Sequence, residues 1–185
     1  MALVVQKFGG TSVGSIDRIR NVARRALATH RGGHRVVLIV SAMSGETNRL
    51  LALAHQVANV PDAREMDVIA ATGEQVSASL TALAIQAEGG SARSLLGHQV
   101  KIVTTDAFTK ARIKTIESQT IFDSLDQGNI AVVAGFQGVD DRAADALDED
   151  GPPLRIPVGA WAEAVLAARV ATPEGTPFRI APLEW

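Results

Sequence analysis

The fold is set close to the amino terminus, by Leu3-Val4-Val5-Gln6-Lys7-Phe8-Gly9-Gly10-Thr11-Ser12. Its apolar, β-branched first half predicts a strand over Leu3–Phe8. A helix is predicted to follow, because Ser15 can cap it and apolar residues recur after it at helical spacing. The chain therefore begins with a strand, a glycine loop and a helix.

The same alternation of short apolar runs and helical segments continues along the chain. Further strands are predicted at residues 36–40, 92–96, 101–105 and 130–134. Further helices are predicted around residues 50–57, 66–71, 74–87 and 118–127, with Thr72-Gly73 separating the second from the third. This alternation indicates an α/β fold with a largely parallel sheet sandwiched by helices.

Length and composition favour one domain that works on small molecules. The 185 residues carry a formal net charge of -2, which gives no global attraction to nucleic acid or to membrane surfaces. Cysteine is absent, so thiol nucleophiles, thiolate metal sites and disulfides are excluded. The histidines form no compact ligand set, and no metal site is predicted. No signal peptide is recognised, and we expect a cytoplasmic protein.

Lys7 and the residues after it form a candidate anion site. A lysine at the end of a strand, followed by Gly9-Gly10-Thr11-Ser12 and a helix, brings a cation close to backbone N–H groups and hydroxyls. Glycine suits such a loop, because a Cβ would hold a phosphate away from the N–H donors. The order differs from the Walker loop, in which the lysine follows the glycines. Taken alone, a glycine pair is more often a tight turn beside a solvated lysine.

Three more polar or glycine-rich segments lie at the ends of predicted elements. Ser41-Ala42-Met43-Ser44-Gly45 follows a buried strand, where open α/β sheets place their ligands, and Gly135-Phe136-Gln137-Gly138 follows another. Thr72-Gly73-Glu74-Gln75 is predicted to place Glu74 at the start of a helix. That carboxylate either stabilises the helix dipole or recognises a substrate ammonium group. The convergence of these loops indicates a site.

Four sequence blocks, in this order, closely resemble the signature blocks of aspartate kinases in the amino-acid kinase superfamily. They are residues 7–14, KFGGTSVG; 40–51, VSAMSGETNRLL; 72–76, TGEQV; and 133–138, VAGFQG. Residues 100–108, VKIVTTDAF, resemble the family's connecting region. The resemblance covers the catalytic N-terminal part of an aspartate kinase, about residues 1–140 of this chain.

The resemblance implies ATP-dependent phosphorylation of the side-chain carboxylate of L-aspartate, the entry step to lysine, threonine and methionine synthesis. Its small-molecule partners would be L-aspartate and ATP, with Mg²⁺ as a further cofactor, and homo-oligomerisation stays open. Lys7 would stabilise the transferred phosphoryl group. By this resemblance, phosphate oxygens would be bound by Gly9, Gly10, Thr11 and Ser12, and the aspartate substrate would be bound by Ser41, Thr47 and Glu74. An aspartate carboxylate, whose ordinary pKa is about 3.9, is already ionised at neutral pH and needs no general base.

Residues 141–185 depart from the family pattern. The expected Thr-Thr-Leu-Gly-Arg-Gly-Gly-Ser-Asp segment and Thr-Asp-Val-Asp-Gly loop are absent, and an acidic run and six of the seven prolines stand there instead. We therefore expect a divergent tail in place of the nucleotide-binding part, with no ACT domain. Three interpretations stay open: an aspartate kinase with a truncated or altered C-terminal part and little activity alone, a non-catalytic pseudokinase that binds an amino acid or a protein partner, and a different site completed by the tail.

Overall fold

The computed structural model describes residues 1–105, 112–135, 137–140 and 178–180. The helices are α1 (Ile16–Arg31), α2 (Glu46–Val57), α3 (Ala63–Ala87) and α4 (Gln119–Asp126). The strands are β1 (Leu3–Phe8), β2 (Arg35–Val40), β3 (Ala92–Leu95), β4 (Ile102–Thr104), β5 (Ile113–Ile116), β6 (Ile130–Ala134), β7 (Val139–Asp140) and β8 (Phe178–Ile180). Apart from β8, the divergent tail predicted after residue 140 lies outside the described residues.

The main sheet has five strands in the order β3-β6-β2-β1-β8. All its neighbouring strands run parallel, and β2 pairs with β1 on one side and with β6 on the other. A smaller sheet has the order β5-β4-β7, in which β4 is antiparallel to β5 and parallel to β7. The predicted α/β fold with a largely parallel sheet between helices is therefore confirmed.

Two apolar cores cover the two faces of the main sheet. On one face, α1 and α3 pack against the side of β2 that carries Val36, Leu38 and Val40. On the other face, α4 and β4 pack against the side that carries Val37 and Ile39. Because β2 is buried on both faces, its sequence is an unbroken apolar run rather than an alternating one.

Helix α3 is a single helix of 25 residues, and the predicted break at Thr72-Gly73 is wrong. Glycine normally disfavours a helix interior by about 1 kcal/mol, which is why the sequence indicated a boundary. Here Gly73 is buried and faces the loop after β2, where a Cβ would lie 3.1 Å from the Cβ of Ala42. The glycine therefore permits close packing and does not end the helix.

By length and composition alone, α3 is apolar enough to cross a membrane, and half of the residues in its most apolar window are buried inside the protein. It packs against α1 and α2 as well as β3 and β6. A helix that packs against a sheet and two other helices needs apolar residues on the sides that make these contacts.

Two further features concern α2 and the short strands. In α2, Leu53 and Val57 are exposed, and Ala54 is the buried residue of the helix. The short strands β5 and β7 were not predicted, nor was β8. The residues of β5, Ile-Lys-Thr-Ile, do not alternate between apolar and polar, and β7 has only two residues, so neither shows the period of a strand.

Candidate functional site

The loops that the sequence singled out meet at one edge of the main sheet. Since β1, β2 and β6 are parallel neighbours, the residues after Phe8, Val40 and Ala134 leave the sheet on the same side. The strand ladder continues into the loops: Ser41 N–H donates to the Phe8 carbonyl at 3.0 Å, and Gly135 N–H donates to the Val40 carbonyl at 3.0 Å. The predicted position of these loops, at the carboxyl edge of the sheet, is thus observed.

The loop after β1 folds into a tight turn. The backbone N–H groups of Ser12 and Val13 both donate to the Gly9 carbonyl, at 2.8 and 3.3 Å. A Cβ placed on Gly9 would meet nothing within 4 Å, so this glycine borders open space. The guanidinium of Arg18, in the first turn of α1, donates to the Thr11 carbonyl. Gly9 thus leaves room for a ligand, whereas the Ser12 amide is already engaged.

Gly10 has a structural role that the sequence did not reveal. A Cβ at this position would lie 2.8 Å from the Ala42 carbonyl oxygen, which belongs to the loop after β2. In return, Ser44 N–H donates to the Gly10 carbonyl at 3.1 Å. Gly10 is therefore required for the two loops to cross, in addition to any contact with a ligand.

Lys7 and α1 belong to opposite faces of the sheet. Successive side chains of a strand alternate between faces, and Leu3 and Val5 contribute to the core under α4, whereas Phe8 contributes to the core under α1. Lys7 is half-buried and shares the face of Leu3 and Val5 at the end of β1. The site therefore straddles the edge of the sheet, with the lysine on one side and the start of α1 on the other.

Glu74 is a buried carboxylate in the middle of α3, with 5% of its surface exposed. One of its oxygens, Oε1, accepts a hydrogen bond from the backbone N–H of Ala42 at 3.3 Å. Because the residue is the twelfth of its helix, the interpretation that it stabilises the helix dipole is wrong. A carboxylate is instead held against the loop after β2, inside the domain.

The remaining predicted substrate residues lie around this loop. Ser41 immediately follows β2, Thr47 is the second residue of α2, and both are half-buried. Glu46, beside Thr47, accepts two hydrogen bonds from Arg49, at 2.7 and 2.8 Å. The guanidinium lowers the pKa of the Glu46 carboxyl below its ordinary value, mainly through these hydrogen bonds. The pair was not predicted, although its spacing of three residues on a helix was visible in the sequence.

Gln137 also escaped the sequence-based assignment of site residues. It follows β6, its side chain is buried, and it contacts both α3 and the turn between β3 and β4. Among the described residues, no group of three or more His, Asp or Glu side chains could hold a metal ion.

A model of the amino acid kinase family matches residues 2–150. The chain belongs to the amino acid kinase family. Its first 140 or so residues are similar to bacterial aspartate kinases: 52% identical over 142 residues to an aspartate kinase of Stutzerimonas stutzeri, and 48% identical over 139 residues to aspartokinase 2 of Bacillus subtilis. These alignments cover 77% and 75% of this chain and 34% of each relative. The chain therefore spans about a third of the length of these relatives.

Solved structures of amino acid kinase family members have the same fold. An aspartate kinase from Synechocystis superposes with a TM-score of 0.63 at 45% identity, covering 75% of this chain and 22% of that one. Aspartokinase III of E. coli, in complex with lysine and aspartate, superposes with a TM-score of 0.74 at 19% identity, covering 91% and 47%. The sequence-based resemblance to aspartate kinases is thus confirmed.

Proposed function

We propose that this chain performs the chemistry of an aspartate kinase, transferring the γ-phosphoryl group of ATP to the side-chain carboxylate of L-aspartate. The observation that carries the proposal is the buried Glu74 carboxylate, which accepts a hydrogen bond from Ala42 N–H. Ala42 belongs to the loop after β2, which crosses the loop after β1 at Gly10. The loops around it belong to a chain about half identical to aspartate kinases. E. coli aspartokinase III, which has the same fold, is known in complex with aspartate and ADP.

Glu74 is the group we assign to the ammonium of the substrate. A carboxylate removed from water attracts a cation more strongly than one at the surface, because the local dielectric constant is lower. The Ala42 N–H orients the carboxylate. The hydroxyls of Ser41 and Thr47, at the start of the adjacent loop and of α2, are assigned to hydrogen bonds with the same substrate.

The loop after β1 is the part we assign to the nucleotide phosphates. Gly9 offers unobstructed backbone, and Thr11 and Ser12 offer hydroxyls, although the Ser12 N–H is already bonded to Gly9. Lys7 contributes a positive charge on the face of the sheet opposite to α1. There it would stabilise the equatorial oxygens of the transferred phosphoryl group. The aspartate carboxylate attacks phosphorus, the bond to ADP breaks, and no proton has to move.

A non-catalytic protein that binds an amino acid or a protein partner is the second candidate. It is favoured because this sequence lacks the Arg-Gly-Gly-Ser-Asp segment. The resemblance to aspartate kinases implies that the arginine of that segment binds the α-carboxylate of the substrate. In either case we propose that residues 1–140 form the kinase-like part and that residues 141–185 replace the nucleotide-binding part.

Calorimetric titration and trapping of aspartyl phosphate with hydroxylamine test the two candidates. We expect the chain to bind aspartate and Mg-ATP and to form aspartyl hydroxamate only when both are present. Aspartate binding without hydroxamate would support the second candidate. Absence of aspartate binding would contradict the proposal.

The Glu74→Gln variant tests the assigned role of the carboxylate. We expect its affinity for aspartate to fall about tenfold or more, because a hydrogen bond to a charged group contributes about 1.5–3 kcal/mol and 1.4 kcal/mol corresponds to a factor of ten. Affinity for Mg-ATP should stay unchanged. Glu65→Gln, in the exposed first turn of the same helix, is the matched control and should bind aspartate normally. Equal affinities in the two variants would show that Glu74 does not bind the ammonium.

A further inference from the structure

Gln137 is a buried polar residue to which the proposed chemistry assigns no role. It belongs to the sequence Gly135-Phe136-Gln137-Gly138, which follows β6 in the chain, and only 2% of its surface is exposed. A buried amide has two hydrogen-bonding groups to satisfy, the carbonyl oxygen and the NH₂. Its partners therefore show what the residue holds together.

The carbonyl end of Gln137 closes the turn between β3 and β4. Its Oε1 accepts a hydrogen bond of 2.7 Å from the backbone N–H of Gly97. Only glycine fits at position 97, because a Cβ there would lie 2.4 Å from the Cβ of Gln137. The loop after β6 and the turn after β3 thus meet at this side chain.

The NH₂ end of Gln137 reaches α3. Its Nε2 lies 3.5 Å from the backbone carbonyl oxygen of Ala71, a polar contact longer than the roughly 2.7–3.2 Å of most N–H···O hydrogen bonds. Ala71 is three residues before Glu74, so the two lie one turn apart on the same helix. The contact supports α3 immediately beside the carboxylate assigned to the substrate.

The same turn of α3 also contacts the loop after β2. Glu74 accepts from Ala42 N–H at 3.3 Å, and the missing Cβ of Gly73 allows the helix to approach Ala42. Residues 71–74 are therefore in contact with both Ala42 and Gln137. Removing the Gln137 amide withdraws one of these contacts from the turn of α3 that carries the carboxylate.

We propose that Gln137 is a positioning residue that sets the affinity for aspartate by holding α3, and with it Glu74, at the loop after β2. This inference rests on the proposed function for its link to aspartate. Gln137 acts through Ala71 and Gly97 and touches neither substrate. We expect its effect to be confined to the amino-acid side of the site, because the loop after β1 is hydrogen-bonded to Ser44 and packs against the Ala42 carbonyl oxygen, and no hydrogen bond among the described residues joins that loop to Gln137.

The test replaces Gln137 by leucine, a branched side chain that is one atom shorter than glutamine and lacks both polar groups. The matched control is Gln99→Leu, in the same turn between β3 and β4. The exposed Gln99 accepts a hydrogen bond of 2.9 Å from Leu96 N–H, and among the described residues no hydrogen bond joins its side chain to α3. Affinities for aspartate and for Mg-ATP are measured by calorimetry on both full-length variants. Amide hydrogen exchange is measured at Ala42, whose N–H is bonded to Glu74, and at Ser44, whose N–H is bonded to Gly10.

We expect Gln137→Leu to raise the dissociation constant for aspartate about tenfold and to leave that for Mg-ATP within about twofold, a factor of ten being 1.4 kcal/mol. Amide exchange at Ala42 should become faster, and exchange at Ser44 should stay unchanged. The Gln99→Leu variant should have the dissociation constants and the exchange rates of the original chain. If Gln137→Leu does not fold, Gln137→Asn, shorter by one methylene, carries the same expectations.

Two results would overturn the proposal. One is an unchanged Ala42 exchange rate in a folded Gln137 variant; the other is an equal loss of affinity for both ligands. If the original chain binds no aspartate, the proposed function fails, and the exchange rates at Ala42 and Ser44 still decide whether Gln137 holds Glu74 in place.

Discussion

Gly73 lies where α3 comes closest to the loop after β2. A Cβ there would be 3.1 Å from the Cβ of Ala42, which would have to move by a few tenths of an ångström, and in ordinary contact with Cδ1 of Leu50 at 3.4 Å. The residue next to it, Glu74, reaches Ala42 with its carboxylate. Small displacements at this point therefore change the position of the group assigned to the substrate.

The Gly73→Ala variant should separate stability from binding. Alanine favours the helix by about 1 kcal/mol over glycine, and overpacking costs about 1–3 kcal/mol, so we expect a net loss of stability of at most about 2 kcal/mol. Aspartate affinity should fall, since α3 is pushed away from Ala42. Urea unfolding and calorimetry measure the two effects, with Ser79→Ala on the exposed side of α3 as the control. Unchanged aspartate affinity would argue against a substrate site at this contact.

The pattern of α1 could be interpreted correctly from local sequence. Ser15 was expected to cap the helix, and its Oγ accepts from the backbone N–H of Arg18 at 3.3 Å. The buried residues recur every three or four positions: Ile19, Val22, Ala23, Ala26 and Leu27. Capping and helical spacing are local properties, which is why they predict the element.

The Ser15→Ala variant should destabilise the protein by about 1 kcal/mol, the usual cost of removing a serine N-cap. Ser15→Asp should retain the stability, because aspartate also caps and its charge suits the positive end of the helix. Both are measured by urea denaturation against the original chain. An alanine variant as stable as the original would mean that the long 3.3 Å contact contributes nothing.

Helix α3 could not be interpreted in the same way. Thr72 and Gly73 interrupt the local helical pattern, yet the helix continues through them. What keeps it continuous is packing: α3 lies against α1, α2, β3 and β6 along its length. Tertiary contacts thus override a local propensity of about 1 kcal/mol.

In the molecule as a whole, β1, β2 and β6 are shared by the two cores. Their side chains alternate between the core under α1 and α3 and the core that contains α4. A defect in one core therefore acts on strands that the other core also needs. We expect the described domain to unfold as one cooperative unit.

Ile121→Ala tests that cooperativity. Ile121 of α4 is fully buried, and truncation to alanine should cost about 2–5 kcal/mol. Amide hydrogen exchange should show the slowest amides of α1, on the opposite face, losing protection to the same extent as those of the strands. Leu83→Ala, on the exposed side of α3, should change stability by less than about 0.5 kcal/mol. Loss of protection limited to α4 would show that the cores unfold separately.

Local sequence was sufficient to predict the elements of the main sheet other than β8, the capped first helix, the glycine loop after Lys7 and the family of the chain. Each depends on residues close together in the chain, such as an apolar run, a cap or a signature block. The three-dimensional packing was needed to explain why Gly10 and Gly73 are glycines, on which face Lys7 lies, and that Glu74 is buried in mid-helix. These features depend on contacts between distant residues, such as Ala42 with Glu74 and Ala71 with Gln137, which no local pattern records.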